Sequence, residues 1–254
     1  MSIFDLTGRR AFVTGASRGI GRVIAVALAS AGADVALAAR SEDALAETAA
    51  EIGALGRKAF VLPLDVTRQA DVTAAVDEAI KLLGHVDVVV NNAGGSNFIA
   101  SLADTRISGW EKVLRLNLDS ALYVCQAVGP HMVARGSGSV INVASVAGLA
   151  GAPGMGSYGA AKAGLISVTK TLAVEWGPAG VRVNALCPGW TATDLNRLLW
   201  DTPDGGKAVV ATVPMGRWAQ AAEMAGPAVF LASDASSYMT GQVLVVDGGQ
   251  LASA

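Results

Sequence analysis

The sequence predicts an α/β protein with a doubly wound parallel sheet of about seven strands and helices on both faces. Three observations predict this class. Short apolar strands alternate with helices, a glycine-rich turn joins the first strand to the first helix, and no linker rich in proline, serine or charge interrupts the 254 residues. Strict alternation requires right-handed crossovers between parallel strands, so helices must cover both faces. We therefore expect a single domain over residues 1–254.

Seven short runs rich in apolar residues are the predicted strands. They are residues 9–13, 35–38, 59–62, 86–90, 139–144, 181–186 and 242–246. The run at 86–90 is apolar except for Asp87, which is typical of a parallel strand covered on both faces. Because ligands of such sheets bind beyond the carboxyl ends of the strands, we expect the functional residues to lie there.

Between the strands, apolar residues recur every three or four positions, which predicts helices. The first helix begins near Ile20, and the second follows Ser41, whose hydroxyl is expected to cap it. The others are predicted at residues 72–83, in one long helix from about residue 107, at residues 158–176 and at residues 221–231. Residues 191–218 show no such period and are expected to be irregular.

Composition and charge exclude several classes of protein. Hydrophobic residues make up 52% of the chain and the mean hydropathy is +0.45, yet no uninterrupted run of about 20 apolar residues could span a bilayer. No basic segment followed by an apolar block resembles a secretory signal. The net charge is −2, with lysines and arginines scattered, which disfavours a nucleic-acid partner. Cys125 and Cys187 match no metal-binding spacing, so we expect buried free thiols in a soluble, cytoplasmic protein.

The segment from Thr14 to Gly21 has the composition of a phosphate-binding turn. Gly15 would allow a tight turn, Gly19 would let the backbone approach a phosphate, and Gly21 would bring helix and strand together. The N-terminus of the following helix offers free N–H groups and a positive dipole end to a pyrophosphate. The spacing differs from the general dinucleotide fingerprint, so a purely structural turn remains the alternative.

The end of the second strand indicates which dinucleotide would bind. An acidic residue at this tip would favour NAD by accepting a hydrogen bond from the ribose. Here the strand ends in Ala38-Ala39-Arg40, and Asp34 lies at its other end. Arg18 and Arg40 could grip a 2′-phosphate through forked, charge-assisted hydrogen bonds, which favours NADP. The alternative is that both arginines are solvated surface residues and that NAD is used.

Three polar residues in the middle of the chain form a candidate proton-transfer set. Ser145 follows an apolar strand, while Tyr158 and Lys162 are four residues apart and share one helix face. We expect the Lys162 ammonium, aided by an oxidised nicotinamide, to lower the pKa of Tyr158 toward the range useful in acid–base catalysis. Ser145 would stabilise charge on the reacting oxygen. A surface tyrosine stacked on a lysine stem is the alternative for the Tyr-x-x-x-Lys pair alone.

These motifs together resemble those of the short-chain dehydrogenase/reductase family. The resemblance rests on Thr14 to Gly21, on Asn91-Asn92-Ala93-Gly94, on Ser145 and on Tyr158-Gly159-Ala160-Ala161-Lys162, and it runs from about residue 6 to residue 249. It implies a Rossmann-type domain and hydride transfer between NADP(H) and a carbonyl compound or secondary alcohol. The nearest likeness is to 3-oxoacyl-(carrier protein) reductases and broad carbonyl reductases.

The resemblance also implies a role for each site residue. Tyr158 would be the acid/base, Ser145 would position the substrate oxygen, Lys162 would bind the nicotinamide ribose, and Asn117 would hold a water linked to Lys162. The remaining residues would contact the cofactor: Gly15, Ser17, Arg18, Gly19, Ile20 and Gly21 at the pyrophosphate, Arg40 at the 2′-phosphate, Asp65 and Val66 at the adenine, Asn91, Ala93 and Gly94 at the adenosine ribose, and Pro188, Gly189, Thr191 and Thr193 at the nicotinamide.

The substrate is expected to meet residues 95–98, Val146, residues 151–155, Trp190 and a lid at about 191–218. The lid has the pair Gly205-Gly206 as a hinge, and its apolar residues include Leu195, Leu198, Leu199, Trp200, Val209 and Val210. This composition suits a hydrophobic ketone or acyl chain. Core or subunit contacts are the alternative role for its apolar residues. Family members usually form homotetramers through the long helix around Asn117 and the helix that carries Tyr158.

Other functions on this fold remain alternatives at this point. They are an NAD-preferring alcohol dehydrogenase, a non-catalytic dinucleotide-binding sensor, a scaffold that binds no nucleotide, and a hydro-lyase or epimerase that keeps the cofactor without net redox change. The complete set of Ser145, Tyr158 and Lys162 argues against the sensor, which would need the glycine turn but no tuned phenol.

Overall fold

A computed structural model describes residues 2–96 and 99–253. Within them, seven parallel strands form one sheet in the order β3-β2-β1-β4-β5-β6-β9. These strands are β1 (Arg10–Thr14), β2 (Asp34–Ala39), β3 (Ala59–Pro63), β4 (Val88–Asn91), β5 (Gly138–Val143), β6 (Val181–Pro188) and β9 (Val243–Val246). The predicted doubly wound, single-domain fold is confirmed, and each predicted strand is present with ends shifted by at most two residues.

Helices connect successive strands and cover both faces of the sheet. They are α1 (Gly19–Ser30), α2 (Glu42–Ala54), α3 (Gln69–Leu83), α4 (Ile107–Leu114), α5 (Ser120–Arg135), α6 (Gly156–Trp176), α7 (Arg197–Trp200), α8 (Lys207–Val210) and α9 (Ala225–Ala232). The predicted cap of α2 is confirmed, since the backbone N–H of Ala44 donates to Ser41 Oγ over 3.4 Å. No helix of the described residues is both long and apolar enough to cross a bilayer.

The hydrophobic core consists of two layers separated by the sheet. Ile24 and Leu28 of α1 pack on one face, and Val124 and Val128 of α5 pack on the other. All four residues of β4 are buried, as expected for a parallel strand with helices on both sides. Both cysteines are buried free thiols, as predicted.

The strand order reverses between β1 and β4. β1 pairs with β2 on one side and with β4 on the other, with Phe12 opposite Val89. The crossovers on the two sides of β1 therefore run in opposite directions, and their connecting loops diverge. This divergence opens a crevice at the carboxyl ends of β1 and β4, which is where ligands of doubly wound sheets bind.

The prediction of one long regular helix from about residue 107 was wrong. α4 and α5 are joined by a π-helical turn, Arg115–Asp119. Asn117 lies in this turn, and its Nδ2 donates to Val113 O at 2.9 Å and to Gly95 O at 2.8 Å. The apolar period could not show the turn, because the turn accompanies a hydrogen bond to a distant loop.

The prediction that residues 191–218 are irregular was also wrong. Thr191–Ala192 (β7) pairs in parallel with Ala219–Gln220 (β8) across the ends of the segment. Between them, the 3-10 turn Asp194–Asn196 leads into α7, and α8 follows. These elements are short and depend on polar side-chain contacts rather than on an apolar stripe, so periodicity did not reveal them.

Candidate active site

The end of β4 is hydrogen-bonded to the glycine turn that follows β1. Thr14 Oγ1 accepts the backbone N–H groups of Asn92 and Ala93, both at 3.1 Å. Asn92 Nδ2 donates to the carbonyl oxygens of Thr14 at 3.0 Å and Gly15 at 3.2 Å. These four bonds fix the turn against the neighbouring strand and hold the crevice open at a defined width.

The three glycines of the turn stand where side chains do not fit. Gly15 has a φ of +66°, and a Cβ atom there would lie 2.6 Å from Asn92 Nδ2. A Cβ atom at Gly21 would overlap the carbonyl oxygen of Gly15. Gly19 opens α1 with a φ of +54°. The predicted reasons for Gly15 and Gly21 are thus visible as close backbone packing, and both positions have the required shape.

The N-terminus of α1 has the properties of an anion site. Its N-cap residue, Arg18, makes no side-chain capping hydrogen bond, so the first N–H groups of the helix are not occupied by a cap. Ser17 and Ile20 flank Gly19 and are partly exposed. Thr193 Cγ2 would lie 3.6 Å from a Cβ on Gly19, so the segment after β6 faces this turn. A bare backbone cradle of this kind fits a pyrophosphate.

The tip of β2 carries no acidic residue. Asp34 lies at the opposite end of the strand, where it pairs with Arg57 at 2.7 Å. Arg18 and Arg40 are exposed, and neither is among the ion pairs of the described residues. Two free guanidinium groups near the helix terminus and the strand tip fit a 2′-phosphate better than a 2′-hydroxyl.

Asp65 and Val66 follow β3, next to the tip of β2. The backbone N–H of Leu64 donates to Ala39 O at 2.9 Å, which keeps the two strand ends together. Asp65 Oδ1 accepts the backbone N–H of Thr67 at 3.0 Å and its hydroxyl at 2.7 Å, and these bonds lower the pKa of Asp65. The carboxylate is therefore ionised and held in place, while Val66 is largely buried in the core.

Asn91 lies at the end of β4, but its side chain belongs to a buried network. Its Nδ2 donates to Asn142 Oδ1 at 2.9 Å, and Asn142 in turn donates to Thr169 Oγ1 at 2.8 Å. Asn91 itself is 4% exposed. Its side chain therefore links β4, β5 and α6 beneath the crevice, whereas Ala93 and Gly94 border the opening directly.

Ser145, Tyr158 and Lys162 come together at the carboxyl end of β5. The Ser145 side chain lies close enough to the Tyr158 hydroxyl to lower its pKa, and Lys162 Nζ lies 5.6 Å from the centroid of the Tyr158 ring. Lys162 is buried and donates to Val143 O at 2.8 Å. The three residues predicted from spacing thus form one cluster.

Glycines allow the strand end and helix α6 to approach closely. Ser145 precedes the 3-10 turn Val146–Gly148 and accepts the backbone N–H of Ala147 at 3.2 Å. A Cβ atom at Gly148 would lie 2.7 Å from the backbone of Lys162, and one at Gly159 would lie 2.8 Å from Ala147 O. No side chain separates the turn from the helix, so Ser145 reaches Tyr158.

The predicted direction of the Tyr158 pKa is wrong for the protein alone. Burial raises the pKa of Tyr158, and the opposing contribution comes from the hydrogen bond with Ser145 rather than from Lys162. Burial also lowers the pKa of Lys162 to about 8. Burial disfavours the charged form of both side chains, because few polar neighbours replace the water that they lose. The effect of an oxidised nicotinamide stays a prediction.

Asn117 holds the loop after β4 next to Lys162. Its Oδ1 accepts the backbone N–H of Gly95 at 2.8 Å, while its Nδ2 donates back to Gly95 O. A Cβ atom on Gly94 would lie 2.7 Å from Asn117 Oδ1 and 3.2 Å from Lys162 Nζ. Through Gly94, the proton-transfer cluster therefore adjoins the segment that is bonded to the glycine turn.

The segment after β6 completes the rim of the site. Gly189 packs against Asp247, since a Cβ atom there would lie 2.7 Å from the Asp247 Cα. The backbone N–H and the hydroxyl of Thr193 both donate to Asn196 Oδ1, at 3.0 and 3.1 Å. The carbonyl oxygen of Thr193 accepts the Nε1–H of Trp200 at 2.9 Å. Pro188 ends β6, and Thr191 Oγ1 donates to Gly189 O at 3.1 Å. All four predicted nicotinamide contacts thus lie in one well-bonded segment.

Two residues of the site were missed by sequence reasoning. Asn92 makes the bonds to the glycine turn described above, although only its neighbours were assigned roles; its position directly after a strand was the signal. Cys187 lies near Ser145, and burial raises the pKa of its thiol to about 11 against a smaller lowering by the Ser145 backbone and Lys162. No local pattern distinguishes it from an ordinary core cysteine. Asn97 and Phe98, expected to meet the substrate, lie outside the described residues.

Known proteins resemble this chain along its whole length. A family model described as enoyl-(acyl carrier protein) reductase matches residues 15–250. Gluconate 5-dehydrogenase of Gluconobacter oxydans is 39% identical over 97% of this chain and 96% of its own. A short-chain type dehydrogenase/reductase from Mycobacterium marinum has a similar structure, with a TM-score of 0.92, 38% identity, and coverage of 98% of this chain and 97% of its own.

A gluconate 5-dehydrogenase from Burkholderia cenocepacia, solved with NADP and tartrate, is also similar in structure. Its TM-score is 0.94 with 39% identity, and the match covers 99% of this chain and 98% of that one. The family model, the identities and the structural agreement confirm the resemblance drawn from the motifs and the expected class of oxidoreductases. The chain belongs to the short-chain dehydrogenase/reductase family.

Proposed function

We propose that this chain interconverts a carbonyl compound and a secondary alcohol with NADP(H), with Tyr158 as the acid/base. The observation that carries the proposal is the position of Lys162 Nζ. It lies under the Tyr158 ring at 5.6 Å from the centroid and next to Gly94, in the segment hydrogen-bonded to the glycine turn. One ammonium group thus connects a hydroxyl pair suited to proton transfer with a crevice suited to a dinucleotide.

NADP(H) is the proposed cofactor because of charge at its 2′ position. Arg18 and Arg40 are exposed and in none of the ion pairs of the described ranges, and β2 itself ends in Ala39 without a carboxylate that would accept a hydrogen bond from a ribose hydroxyl. The solved gluconate 5-dehydrogenase from Burkholderia cenocepacia contains NADP, which supports the same choice here. The other proposed cofactor contacts are the glycine turn with Ser17 and Ile20, the pair Asp65 and Val66, and the segment from Pro188 to Thr193. Asn91 is expected to contribute only through its backbone.

In the reduction direction, bound NADPH supplies a hydride to the carbonyl carbon. The Tyr158 hydroxyl donates its proton to the carbonyl oxygen, and Ser145 donates a hydrogen bond to the same oxygen while negative charge develops on it. In the oxidation direction, Tyr158 takes the hydroxyl proton from the alcohol. Its raised pKa keeps Tyr158 protonated at neutral pH, which favours its action as an acid.

Lys162 and Asn117 act on the cofactor ribose and the surrounding loop. Lys162 donates one hydrogen bond to Val143 O, which leaves further N–H groups for a ribose hydroxyl. Asn117 is proposed as a positioning residue, because its amide is already engaged by Gly95 and Val113. The water that the family resemblance places between Asn117 and Lys162 stays a prediction.

Residues 191–218 are proposed to form a lid over the substrate. Leu195 lies against the loop after β4, since a Cβ atom on Gly95 would be 2.9 Å from its Cδ2. Trp190 and Trp218 at the two ends of the segment stack edge to face with ring centroids 5.4 Å apart. Gly205 and Gly206 both have positive φ and are proposed as the hinge.

We also propose a homotetramer that works in the cytoplasm. The expected contacts involve α5 and the face of α6 that carries the small residues Ala160 and Ala163, both exposed in the single chain. Buried free thiols at Cys125 and Cys187 suit a reducing compartment. A molar mass from light scattering that matches four chains would support the assembly, and the mass of one chain would reject it.

The change Tyr158→Phe tests the proposed function. It removes the proton donor while leaving the ring in place, so we expect kcat for NADPH-dependent ketone reduction to fall by about a hundredfold to ten-thousandfold. The Kd for NADPH should change little, because the cofactor cradle is untouched. Loss of NADPH absorbance with a panel of ketones and titration of bound NADPH give the two quantities.

Tyr238→Phe is the matched control, because Tyr238 is fully exposed and borders a groove at the starts of β5 and β6, on the opposite edge of the sheet. Unchanged turnover in Tyr158→Phe would refute the mechanism. Wild-type protein that binds NADPH but reduces no carbonyl would indicate a sensor instead. Turnover of a substrate without net change in NADPH would indicate a hydro-lyase or epimerase.

A further inference from the structure

We propose that the substrate is an uncharged carbonyl compound with an apolar chain or ring, and that the site discriminates against sugar acids. This inference rests on the proposed function and adds the substrate class. It separates this chain from the gluconate dehydrogenases it resembles, and it is argued from the side chains around the Ser145–Tyr158 pair.

Two segments form the first wall of the substrate mouth. The backbone N–H of Ala100 donates to Gly154 O at 3.0 Å, which joins the loop after β4 to the loop before α6. A Cβ atom on Gly156 would lie 2.5 Å from Leu102 Cδ2, and one on Gly154 would lie 2.5 Å from Ile99 Cγ2. Both apolar side chains therefore lie directly on the backbone that leads into Tyr158.

The lid forms the opposite wall. Leu195 covers Gly95, whose backbone is held by both ends of the Asn117 amide. α7 continues from this point with Leu198 and Leu199. Leu149 stands at the remaining side, directly after the 3-10 turn that begins beside Ser145. A substrate whose oxygen reaches Ser145 and Tyr158 must pass between these apolar walls.

The walls leave unusually large apolar surfaces in contact with solvent. Leu198 is 92% exposed, Ile99 68%, Leu102 65% and Leu195 50%. Scattered exposed leucines are common on proteins, but a group gathered around a catalytic mouth marks a binding surface. An apolar substrate that covers these side chains gains binding free energy in proportion to the area removed from water.

Charge in the same segments disfavours an anion-binding mouth, because its guanidinium groups are already paired and Lys207 is the one lid cation outside the ion pairs of the described residues. No charged residue occurs at residues 88–103 or at residues 136–161. Over residues 191–218 the lid carries three cations, Arg197, Lys207 and Arg217, against three aspartates, Asp194, Asp201 and Asp204, so its net charge is zero. Arg217 is paired with Glu223 at 2.7 Å. Arg197 is already paired with Asp201 at 2.8 Å. A carboxylate in this mouth would lose water without gaining a free guanidinium.

A series of ketones of increasing chain length, compared with a keto acid, tests the inference on the wild-type enzyme. We expect kcat/KM with NADPH to rise by about fourfold for each methylene added to a methyl alkyl ketone, as long as the chain is buried. The keto acid 5-ketogluconate should be at least about a hundredfold worse than the best ketone. A kcat/KM for 5-ketogluconate equal to or above that of every ketone would overturn the inference while leaving the proposed function intact.

Leu102→Arg adds a cation to the mouth without changing the catalytic cluster. We expect it to flatten the chain-length dependence and to raise kcat/KM for 5-ketogluconate by about tenfold. Leu55→Arg is the matched control, because Leu55 is equally apolar, 46% exposed, and lies at the C-terminal end of α2 on the opposite edge of the sheet. If both variants changed the chain-length dependence and the kcat/KM for 5-ketogluconate equally, the proposal that the apolar walls select the substrate would be refuted. If the wild-type enzyme oxidised NADPH with none of the ketones and not with 5-ketogluconate, the proposed function itself would be refuted.

Discussion

At the scale of single residues, the side chain of Tyr158 shows how burial sets the pKa of a proposed acid/base. Its ring faces Lys162, and burial raises its pKa above the ordinary value of 10.0 against a smaller lowering by the Ser145 side chain. The neighbouring ammonium does not reverse this effect, because burial lowers the pKa of Lys162 itself to about 8. Tyr158 therefore holds its proton more tightly than a solvated phenol, whereas Lys162 releases its proton more readily than a solvated ammonium group.

The pH dependence of the two directions follows from these shifts. Reduction needs protonated Tyr158, so kcat/KM for a ketone should stay level through neutral pH and fall only at alkaline pH, beginning near pH 8, where Lys162 loses its proton. Alcohol oxidation needs a proton acceptor and should rise with pH over the same range. Rate profiles of both directions check this. A reduction rate that already falls between pH 6 and pH 7 would contradict the raised pKa of Tyr158.

Arg40 determines cofactor choice if its guanidinium binds the 2′-phosphate. Arg40→Asp would remove a charge-assisted hydrogen bond, about 1.5–3 kcal/mol, and place a carboxylate at the tip of β2. The ratio of kcat/KM values for NADPH and NADH should therefore fall by about tenfold to a hundredfold or more. Lys81→Asp makes the same change of charge on the exposed end of α3 and should leave the ratio unchanged. An unchanged ratio in Arg40→Asp would mean that Arg40 does not bind the 2′-phosphate.

At the scale of secondary-structure elements, the joint between β1 and β4 carries the cofactor crevice. Asn92→Leu removes two hydrogen bonds to the carbonyl groups of Thr14 and Gly15. At about 0.5–1.5 kcal/mol each, the free energy of unfolding should fall by about 1–3 kcal/mol. NADPH binding should weaken as well, because the glycine turn loses its support. Urea unfolding and NADPH titration measure the two effects.

Gln126→Leu serves as the control for that variant. Gln126 offers a similar amide on the exposed side of α5, where it only accepts from Gln69 at 3.3 Å. It should lower the stability by no more than a few tenths of a kcal/mol. Equal effects of the two changes would mean that the joint at Asn92 contributes no special stability.

The strands and long helices could be predicted from the sequence because the burial of each element leaves an apolar pattern in its own residues. A parallel strand such as β4 is covered on both faces wherever it lies in the sheet, so its apolar run is a local signal. The π-helical turn at Asn117 and the short elements of the lid depend on distant partners. Gly95 and the Thr193–Asn196–Trp200 contacts supply them, and no periodic pattern in the sequence encodes such pairs.

The candidate site was predictable to the extent that it lies at strand ends. Ser145 and the glycine turn follow strands directly, and parallel strands bring their ends to one edge. The orientation of the Asn91 side chain and the direction of the Tyr158 pKa were not readable, because both depend on what packs around the residue. Asn91 points into the Asn142–Thr169 network, and Tyr158 loses more solvation than its neighbours replace.

At the scale of the whole molecule, the edge of the sheet opposite the crevice holds a charged cluster. Asp87 accepts from Arg135 at 3.1 Å, from His85 at 3.1 Å and from the backbone of Arg10 at 2.9 Å. The guanidinium of Arg10 also donates to His85 Nδ1. His131 Nε2 accepts the backbone N–H of Val86 at 3.3 Å. Both histidines of the chain thus act as acceptors, a role that requires a neutral ring nitrogen.

This cluster predicts a loss of stability in mild acid. Burial lowers the pKa of His85 and of His131 from 6.5, with neighbouring arginines adding to the effect. Below this value the unfolded chain binds more protons than the folded one, so the free energy of unfolding falls as pH decreases from 6.5 toward about 5, where carboxylates begin to contribute. Thermal unfolding across this range measures the slope. The double variant His85→Gln with His131→Gln should flatten it, and a slope of the wild-type size in that variant would contradict the assignment.

The pairing of β1 with β4 also has a consequence for synthesis on the ribosome. β2 can pair with β1, and β3 with β2, as soon as they emerge, but the second neighbour of β1 is Val88–Asn91, more than seventy residues later in the chain. Pairing across such a separation carries a large entropic cost and forms slowly. Until Asn92 has left the exit tunnel, the nascent first half has a glycine turn without its supporting strand. Binding of the dinucleotide can therefore stabilise the nascent chain against misfolding only after more than a third of the chain has been translated.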